Sequence, residues 1–146
     1  MVADRDSVRL DLSEVRLDVN DLHAAAEADD FERVMALYRG EFLPLDLYED
    51  WASAPREQAR LAYARAARQQ AIAATAAGDH DQAAAFARRI LATDQYDEEA
   101  HRRLVAALVA GGHSGAARGA HVFYVGRMGE LGAPSVSFAE LIPPLD

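Results

Sequence analysis

A weak repeat of 34 residues in the middle of the chain constrains its fold more than any other feature of the sequence. When residues 65–92 are compared with the residues 34 positions further on, six of the 28 aligned pairs are identical. The most informative pairs are Gly78 with Gly112, Ala83 with Ala117, Arg68 with Arg102 and Leu91 with Val125. Two helices pack closely only if their turn is tight and the facing residue is small. The repeat therefore predicts closely packed helix–turn–helix units.

The period and the pattern of glycine and alanine are typical of tetratricopeptide repeats. Aspartates at candidate helix starts and glycines at candidate helix ends set the boundaries. The predicted helices cover residues 21–28, 30–39, 55–77, 81–92, 97–110 and 114–131. We therefore expect an all-α protein, a tetratricopeptide-like stack of antiparallel helix pairs with about six helices. Gly119, Gly126 and Gly129 weaken the last helix, so we expect that helix to need packing.

The first residues have a different pattern from the rest of the chain. Residues 8–19 read VRLDLSEVRLDV, and apolar residues recur at every second position on each side of Ser13-Glu14. These apolar residues are Val8, Leu10, Leu12, Val15, Leu17 and Val19. Period two is typical of strands, so we expect a short N-terminal β-hairpin. The sequence thus divides into residues 1–19, which carry the hairpin, and residues 20–146, which carry the helices.

Composition and charge exclude several classes of protein. The chain has no cysteine, which excludes disulfides and thiolate chemistry. All fifteen basic residues are arginine and the formal net charge is −9, which argues against DNA or RNA binding by this chain alone. No signal leader and no long apolar run is present, so we expect no membrane contact and a cytoplasmic location.

The sequence offers no constellation for catalysis or for metal binding. The histidines at positions 23, 80, 101, 113 and 121 form no HExxH motif and no other pair of ligands four residues apart. The glycine-rich stretch GGHSGAARG at 111–119 matches no nucleotide-binding motif, and Ser114 within it is better read as a helix cap than as a nucleophile. We therefore expect no enzyme, no cofactor and no metal.

Several short stretches resemble a known family in the same order along the chain. They are YRGEFLP at 38–44, YEDW at 48–51, RE at 56–57, DEEAH at 97–101, ELG at 130–132 and PS at 134–135. Together they resemble the bacterial transcriptional activator domain, the tetratricopeptide-like module of antibiotic-pathway regulators and related winged-helix activators. The resemblance covers about residues 15–140. Gln95 departs from it, since the family usually has a proline at that position.

The resemblance implies a regulatory role. Regulators of this kind have an N-terminal winged-helix domain before the helical module, and residues 8–19 look like the last strands of its wing. We therefore expect a protein-interaction or oligomerisation module of a transcriptional activator that lacks its own complete DNA-binding domain. The partners implied are the winged-helix domain of the same regulator, a second copy in a homodimer, or the transcription machinery. The alternative is a free-standing tetratricopeptide-like scaffold unrelated to transcription.

The repeat frame also predicts a groove. In stacked helix pairs the first helix of each pair lines the concave face. The residues that the frame places there are Arg65, Arg68, Ile72, Thr75, Glu99, Arg102, Ala106 and Val109. Three arginines in an acidic protein suggest a site for a partner carboxylate or an acidic peptide. The alternative is that these arginines are solvated or paired with Glu99.

A second candidate surface lies where the resemblance is densest. Phe42, Leu43, Tyr48 and Trp51 are bulky residues between one helix pair and the long helix that follows. One interpretation is a structural joint that anchors the repeats. The other is a hot spot for a partner or for the DNA-binding domain, because aromatic residues dominate such contacts.

Overall fold

A computed structural model describes residues 2–4, 7–9, 18–40 and 50–142 of the chain. In these ranges six α-helices follow one another, and each packs against the next. The helices are α1 Asp18–Glu27, α2 Phe31–Leu37, α3 Asp50–Ala76, α4 His80–Thr93, α5 Glu98–Ala110 and α6 Ser114–Glu130. They form the consecutive pairs α1/α2, α3/α4 and α5/α6. The prediction of an all-helical stack is confirmed.

The predicted hairpin around Ser13-Glu14 is not supported. Residues 10–17 lie outside the described residues, and Val19 lies in α1 instead of in a strand. Helix α1 starts at Asp18 and runs to Glu27. A short antiparallel pair of strands, β1 Val2–Asp4 and β2 Ser7–Arg9, precedes these residues and does not correspond to the predicted one.

Helices α3 and α5, which the 34-residue repeat makes equivalent, end in the same tight turn. Gly78 and Gly112 have φ of +73° and +79°, in the left-handed region that favours glycine. The backbone bonds are Gly78 N to Thr75 O at 3.1 Å, Asp79 N to Ala74 O at 2.9 Å, Gly112 N to Val109 O at 2.9 Å and His113 N to Leu108 O at 2.8 Å. Each bond in the second turn lies 34 residues after its counterpart. The repeat is therefore structural and not a coincidence of composition.

Aspartates start three of the helices. Asp30, Asp79 and Asp97 each accept a hydrogen bond from the backbone N–H three residues on, at 3.2, 3.0 and 2.8 Å. Such caps satisfy N–H groups that have no partner within the helix. One predicted helix cap and one predicted helix start need correction. Ser114 is the first residue of α6 and not its cap, and Pro55 lies inside α3, which already begins at Asp50.

Alanine supplies more than half of the buried apolar residues in the part of the chain that the structure describes. The repeat-equivalent Ala83 and Ala117 are 2% and 0% exposed. They belong to one cluster of α4, α5 and α6 residues, which also includes Ala84, Ala87, Leu104, Ala107 and Leu108. Because alanine ends at Cβ, helices that meet on it can approach closely. The core of this part of the chain is therefore built largely from small side chains.

A C-terminal segment, residues 133–142, closes the inner side of the last pair. The buried Tyr124 donates a hydrogen bond from its hydroxyl to Oε1 of Glu98 and accepts one from the N–H of Val136, both at 3.0 Å. Burial raises the pKa of Tyr124, so its hydroxyl keeps its proton and remains a donor. Leu141 is buried in the same cluster as Tyr124 and Met128.

No helix within the described ranges is both long enough and apolar enough to cross a membrane.

The turn at Gly112 can be tested with one substitution. Gly112→Ala should lower the free energy of unfolding by about 1–2 kcal/mol, because a Cβ disfavours the left-handed conformation. A Cβ at this position would meet nothing within 4 Å, so the penalty comes from the backbone alone. Urea denaturation measures it.

Gly119→Ala is the matched control. A Cβ there also meets nothing within 4 Å, but Gly119 lies inside α6, so alanine should stabilise by about 0.5–1 kcal/mol. The same change in stability in both variants would contradict the turn assignment.

Candidate functional site

A cluster of charged side chains joins α3 to the start of α5. Arg68 on α3 makes a hydrogen-bonded ion pair from Nη2 to Oδ2 of Asp97, and its Nε lies 3.3 Å from Oε2 of Glu99. Arg103 extends the cluster, with Nη2 at 2.6 Å from Oε1 of Glu99. The Asp97 side chain is only 14% exposed, whereas that of Glu99 is 49% exposed. The pair of Arg68 with Asp97 is therefore the best shielded contact of the cluster.

Asp97 has two structural roles in this cluster. Its Oδ1 caps α5 through the N–H of Ala100, while its Oδ2 binds Arg68. The hydrogen bond from Arg103 lowers the pKa of Glu99, and the charge of Arg68 contributes in the same direction. The Glu99 carboxylate therefore stays charged at neutral pH. The N–H at Nε of Arg68 is buried without a hydrogen bond, because its approach to Glu99 lacks hydrogen-bonding geometry.

The other residues of the predicted groove are spread along the stack. Arg65 points to the turn between α1 and α2, where Nη2 lies 2.6 Å from Oδ1 of Asp29. Arg102 lies 4.0 Å from Glu98, one turn earlier on its own helix. Ile72 is 39% exposed, and Val109 is partly buried against the alanine cluster. The structure thus brings Arg68 and Glu99 together but not the whole set.

The predicted carboxylate site has to be judged against these ion pairs. Each of its three arginines, Arg65, Arg68 and Arg102, already faces an acid of this chain. A partner carboxylate would therefore have to displace an internal one. Binding of an acidic peptide stays a prediction, and the pairing of Arg68 with Glu99 is the alternative that the sequence had left open.

The second candidate surface lies largely outside the described residues. Phe42, Leu43 and Tyr48 fall in residues 41–49, and only the backbone of Trp51 is described, in α3. Their role as a joint or as a hot spot stays a prediction. The neighbouring Tyr38, however, stacks on Tyr63 of α3, with ring centroids 4.3 Å apart. Sequence reasoning missed Tyr63, because it belongs to no motif and to no repeat-equivalent pair.

The DEEAH stretch at 97–101 also builds structure. His101 is 5% exposed, and its Nε2 lies 2.9 Å from the backbone carbonyl of Gln95, in the turn before α5. This bond uses only the backbone of Gln95. A proline has the same carbonyl, so the departure from the family pattern at this position leaves the bond intact.

The described ranges show no metal centre. They contain no group of three or more histidine, cysteine, aspartate or glutamate side chains that could hold a metal ion. Two further histidines have structural partners, with His113 at 3.0 Å from Asp81 and His121 at 2.9 Å from the carbonyl of Val136. These contacts position turns and the C-terminal segment.

An apolar surface on α6 is a feature that the sequence did not reveal. Val122 and Phe123 are 71% and 67% exposed. Beside them a cleft of about 280 Å³ between α4, α5 and α6 is lined by Leu91, Leu104, Ala120 and Phe123, together with His101, Gln95 and Arg127. The only signal in the sequence was the unusual number of glycines in this helix.

Comparison with known proteins gives one match. A family model described as the bacterial transcriptional activator domain matches residues 6–127. The match includes the charged cluster between α3 and α5 and most of α6. No significant match was found among curated proteins or among solved structures.

The charged cluster can be tested by removing Arg68. Arg68→Met leaves the largely buried Asp97 without its ion pair, and we expect a loss of about 1–2 kcal/mol in the free energy of unfolding. Urea denaturation at neutral pH gives the value.

Arg102→Met is the control, because Arg102 is the repeat equivalent of Arg68. Its side chain is 50% exposed and its ion pair is 4.0 Å long, so the change should stay within about 0.5 kcal/mol. Equal effects at the two positions would mean that the cluster is no stronger than a surface ion pair.

Proposed function

The chain belongs to the bacterial transcriptional activator domain family, and from this membership we propose that it is the regulatory protein-interaction module of a bacterial transcriptional activator. The module carries no catalytic role. It couples a DNA-binding domain either to self-association or to the transcription machinery. As part of a bacterial regulator it acts in the cytoplasm.

The observation that carries the proposal is the family match across the helical stack. It spans residues 6–127, from before α1 to the last turn of α6. Stacks of helix pairs expose long surfaces whose shape is fixed by the packing, and they commonly bind proteins. The exposed Val122 and Phe123 give this stack an apolar contact surface of the kind that protein interfaces use.

Charge supports the part of the proposal that concerns DNA. Binding to a phosphate backbone needs unpaired cationic groups. This chain has a formal net charge of −9, and Arg65, Arg68 and Arg103 are engaged with acids at 2.6 Å or in the shielded cluster. The helical module therefore does not bind DNA by itself, and DNA recognition belongs to a winged-helix domain of the same regulator.

A reporter assay in a bacterial cell tests the proposal. The chain is fused to the DNA-binding domain of an unrelated repressor that binds its operator tightly only as a dimer. An operator that overlaps a promoter reports self-association as repression. An operator upstream of a weak promoter reports contact with the transcription machinery as activation. We expect a response from at least one reporter, compared with the DNA-binding domain alone.

The matched control is the same fusion with Leu104→Asp. Leu104 is 7% exposed in the alanine cluster, so a buried charge there should unfold the stack and abolish the response. If neither reporter responds to a fusion that accumulates and is folded, the proposal is wrong and the scaffold alternative stands. A mobility-shift titration of the chain alone at low salt completes the test. Sequence-specific retardation would contradict the proposal that the helical module does not bind DNA by itself.

A further inference from the structure

The outer side of α6 is an apolar surface that no described residue covers. Ala117, Tyr124 and Met128 are buried on the inner side of the helix, against α5 and the C-terminal segment. On the outer side lie Val122 and Phe123, at 71% and 67% exposed. A helix face that no further repeat covers is normally polar in a repeat stack. This helix does not follow that rule.

Glycines fill the rest of the same face. Gly115, Gly119, Gly126 and Gly129 are separated by four, seven and three residues, which places them on one side of a helix. A Cβ at any of these positions would meet nothing within 4 Å. Each glycine costs about 1 kcal/mol relative to alanine in a helix interior. The packing within the described residues gives no reason for that cost.

The pattern of glycine and apolar residues on this face is the same when it is followed from either end of the helix. Gly119 lies three residues before Val122, and Gly126 lies three residues after Phe123. At 1.5 Å per residue, the two glycines are about 5 Å on either side of the midpoint between Val122 and Phe123. Turning the helix end for end about this midpoint exchanges the glycine positions. A two-fold contact requires such a self-complementary surface, whereas a contact with an unrelated partner does not.

We propose that α6 pairs antiparallel with α6 of a second copy of this chain, about a two-fold axis at Val122 and Phe123. Each Gly119 then lies opposite Gly126 of the other copy, and the lack of side chains lets the two backbones approach closely. The Phe123 rings of the two copies meet beside the axis, where aromatic pairs add to the apolar burial. Val122 meets its own counterpart.

Charge is compatible with this contact. Two chains of net charge −9 repel each other over much of their surface. Helix α6, however, carries Arg118 and Arg127 against a single acid, Glu130, which gives +2 − 1 = +1 over residues 114–130. Glu130 is itself bound by Arg127 at 2.9 Å. Antiparallel helices also place opposite ends of their dipoles side by side.

The inference names one partner for the interaction role proposed above, and its significance rests on that role. Its test does not. If α6 fails to pair while the activation reporter still responds, the proposed function stands and only the pairing is wrong.

Sedimentation velocity of the 146-residue chain over a wide concentration range tests the pairing. We expect a monomer–dimer equilibrium. Phe123→Asp should raise the dissociation constant at least about tenfold, because it places a charge at the centre of the contact. The control is Leu61→Asp on α3, where an equally hydrophobic side chain is 55% exposed, and it should leave the equilibrium unchanged.

Gly126→Leu separates pairing from folding. The leucine side chain would hold the two backbones apart, so the dimer should be lost. The monomer should nevertheless gain stability, since leucine favours the helix over glycine and a Cβ at this position meets nothing within 4 Å in the single chain. A higher melting temperature together with loss of the dimer is the expected result.

The absence of native cysteine allows a direct test of the two-fold axis. Val122→Cys should form an intermolecular disulfide under mild oxidation, because the two Cβ atoms face each other across the axis. Leu61→Cys, treated in the same way, should remain monomeric. A chain that is monomeric at all concentrations, or a dimer that survives both Phe123→Asp and Gly126→Leu, would overturn the proposal.

Discussion

The close approach of helices on alanine is the constraint on which the rest of the structure depends. Ala83 and Ala117 occupy equivalent positions in successive pairs, and both are buried in the cluster formed by α4, α5 and α6. Tight turns join α3 to α4 and α5 to α6. Gly78 and Gly112 provide those turns through their left-handed conformation. Alanine contact and glycine turn therefore belong to one structural unit, which recurs after 34 residues.

This geometry also determines where polar contacts form. Because α3 and α5 begin successive pairs, the stack places Arg68 within reach of Asp97 and Glu99, although 29 residues separate Arg68 from Asp97. At the end of the stack, Tyr124 binds both Glu98 and the C-terminal segment. The inner side of the last pair is closed in this way, and its outer side keeps Val122 and Phe123 exposed. The functional proposals follow from this asymmetry.

Most of the helical fold could be predicted from the sequence, because helix ends are marked by local chemistry. Aspartate caps and left-handed glycines set the bounds of α4, α5 and α6 to within about two residues, which is the usual scatter of helix ends. The start of α3 was misplaced because Pro55 suits a first turn, whereas the helix already begins at Asp50. The hairpin around Ser13-Glu14 is not supported: residues 10–17 lie outside the described residues, and the alternation of apolar residues ends at Val19 inside a helix.

The candidate site could be predicted only in part. The repeat frame indicated that Arg68 and Glu99 lie near each other, since it relates the faces of successive pairs. It did not indicate that Arg65 binds Asp29, because that contact depends on a turn in a different pair. The exposed apolar face of α6 could not be predicted either. Glycine has no side chain, so glycines in a helix do not indicate which face is buried and which is exposed. Such features depend on tertiary placement.

Overpacking of the alanine contact shows whether the helices are held together by it. Ala83→Leu adds a large side chain where two helices meet, and we expect a loss of about 1–3 kcal/mol in the free energy of unfolding by urea denaturation. Ala92→Leu, at an exposed position of the same helix, should change it by no more than about 0.5 kcal/mol. If Ala83→Leu is as stable as the unaltered chain, the helices are not held together by close contact on alanine.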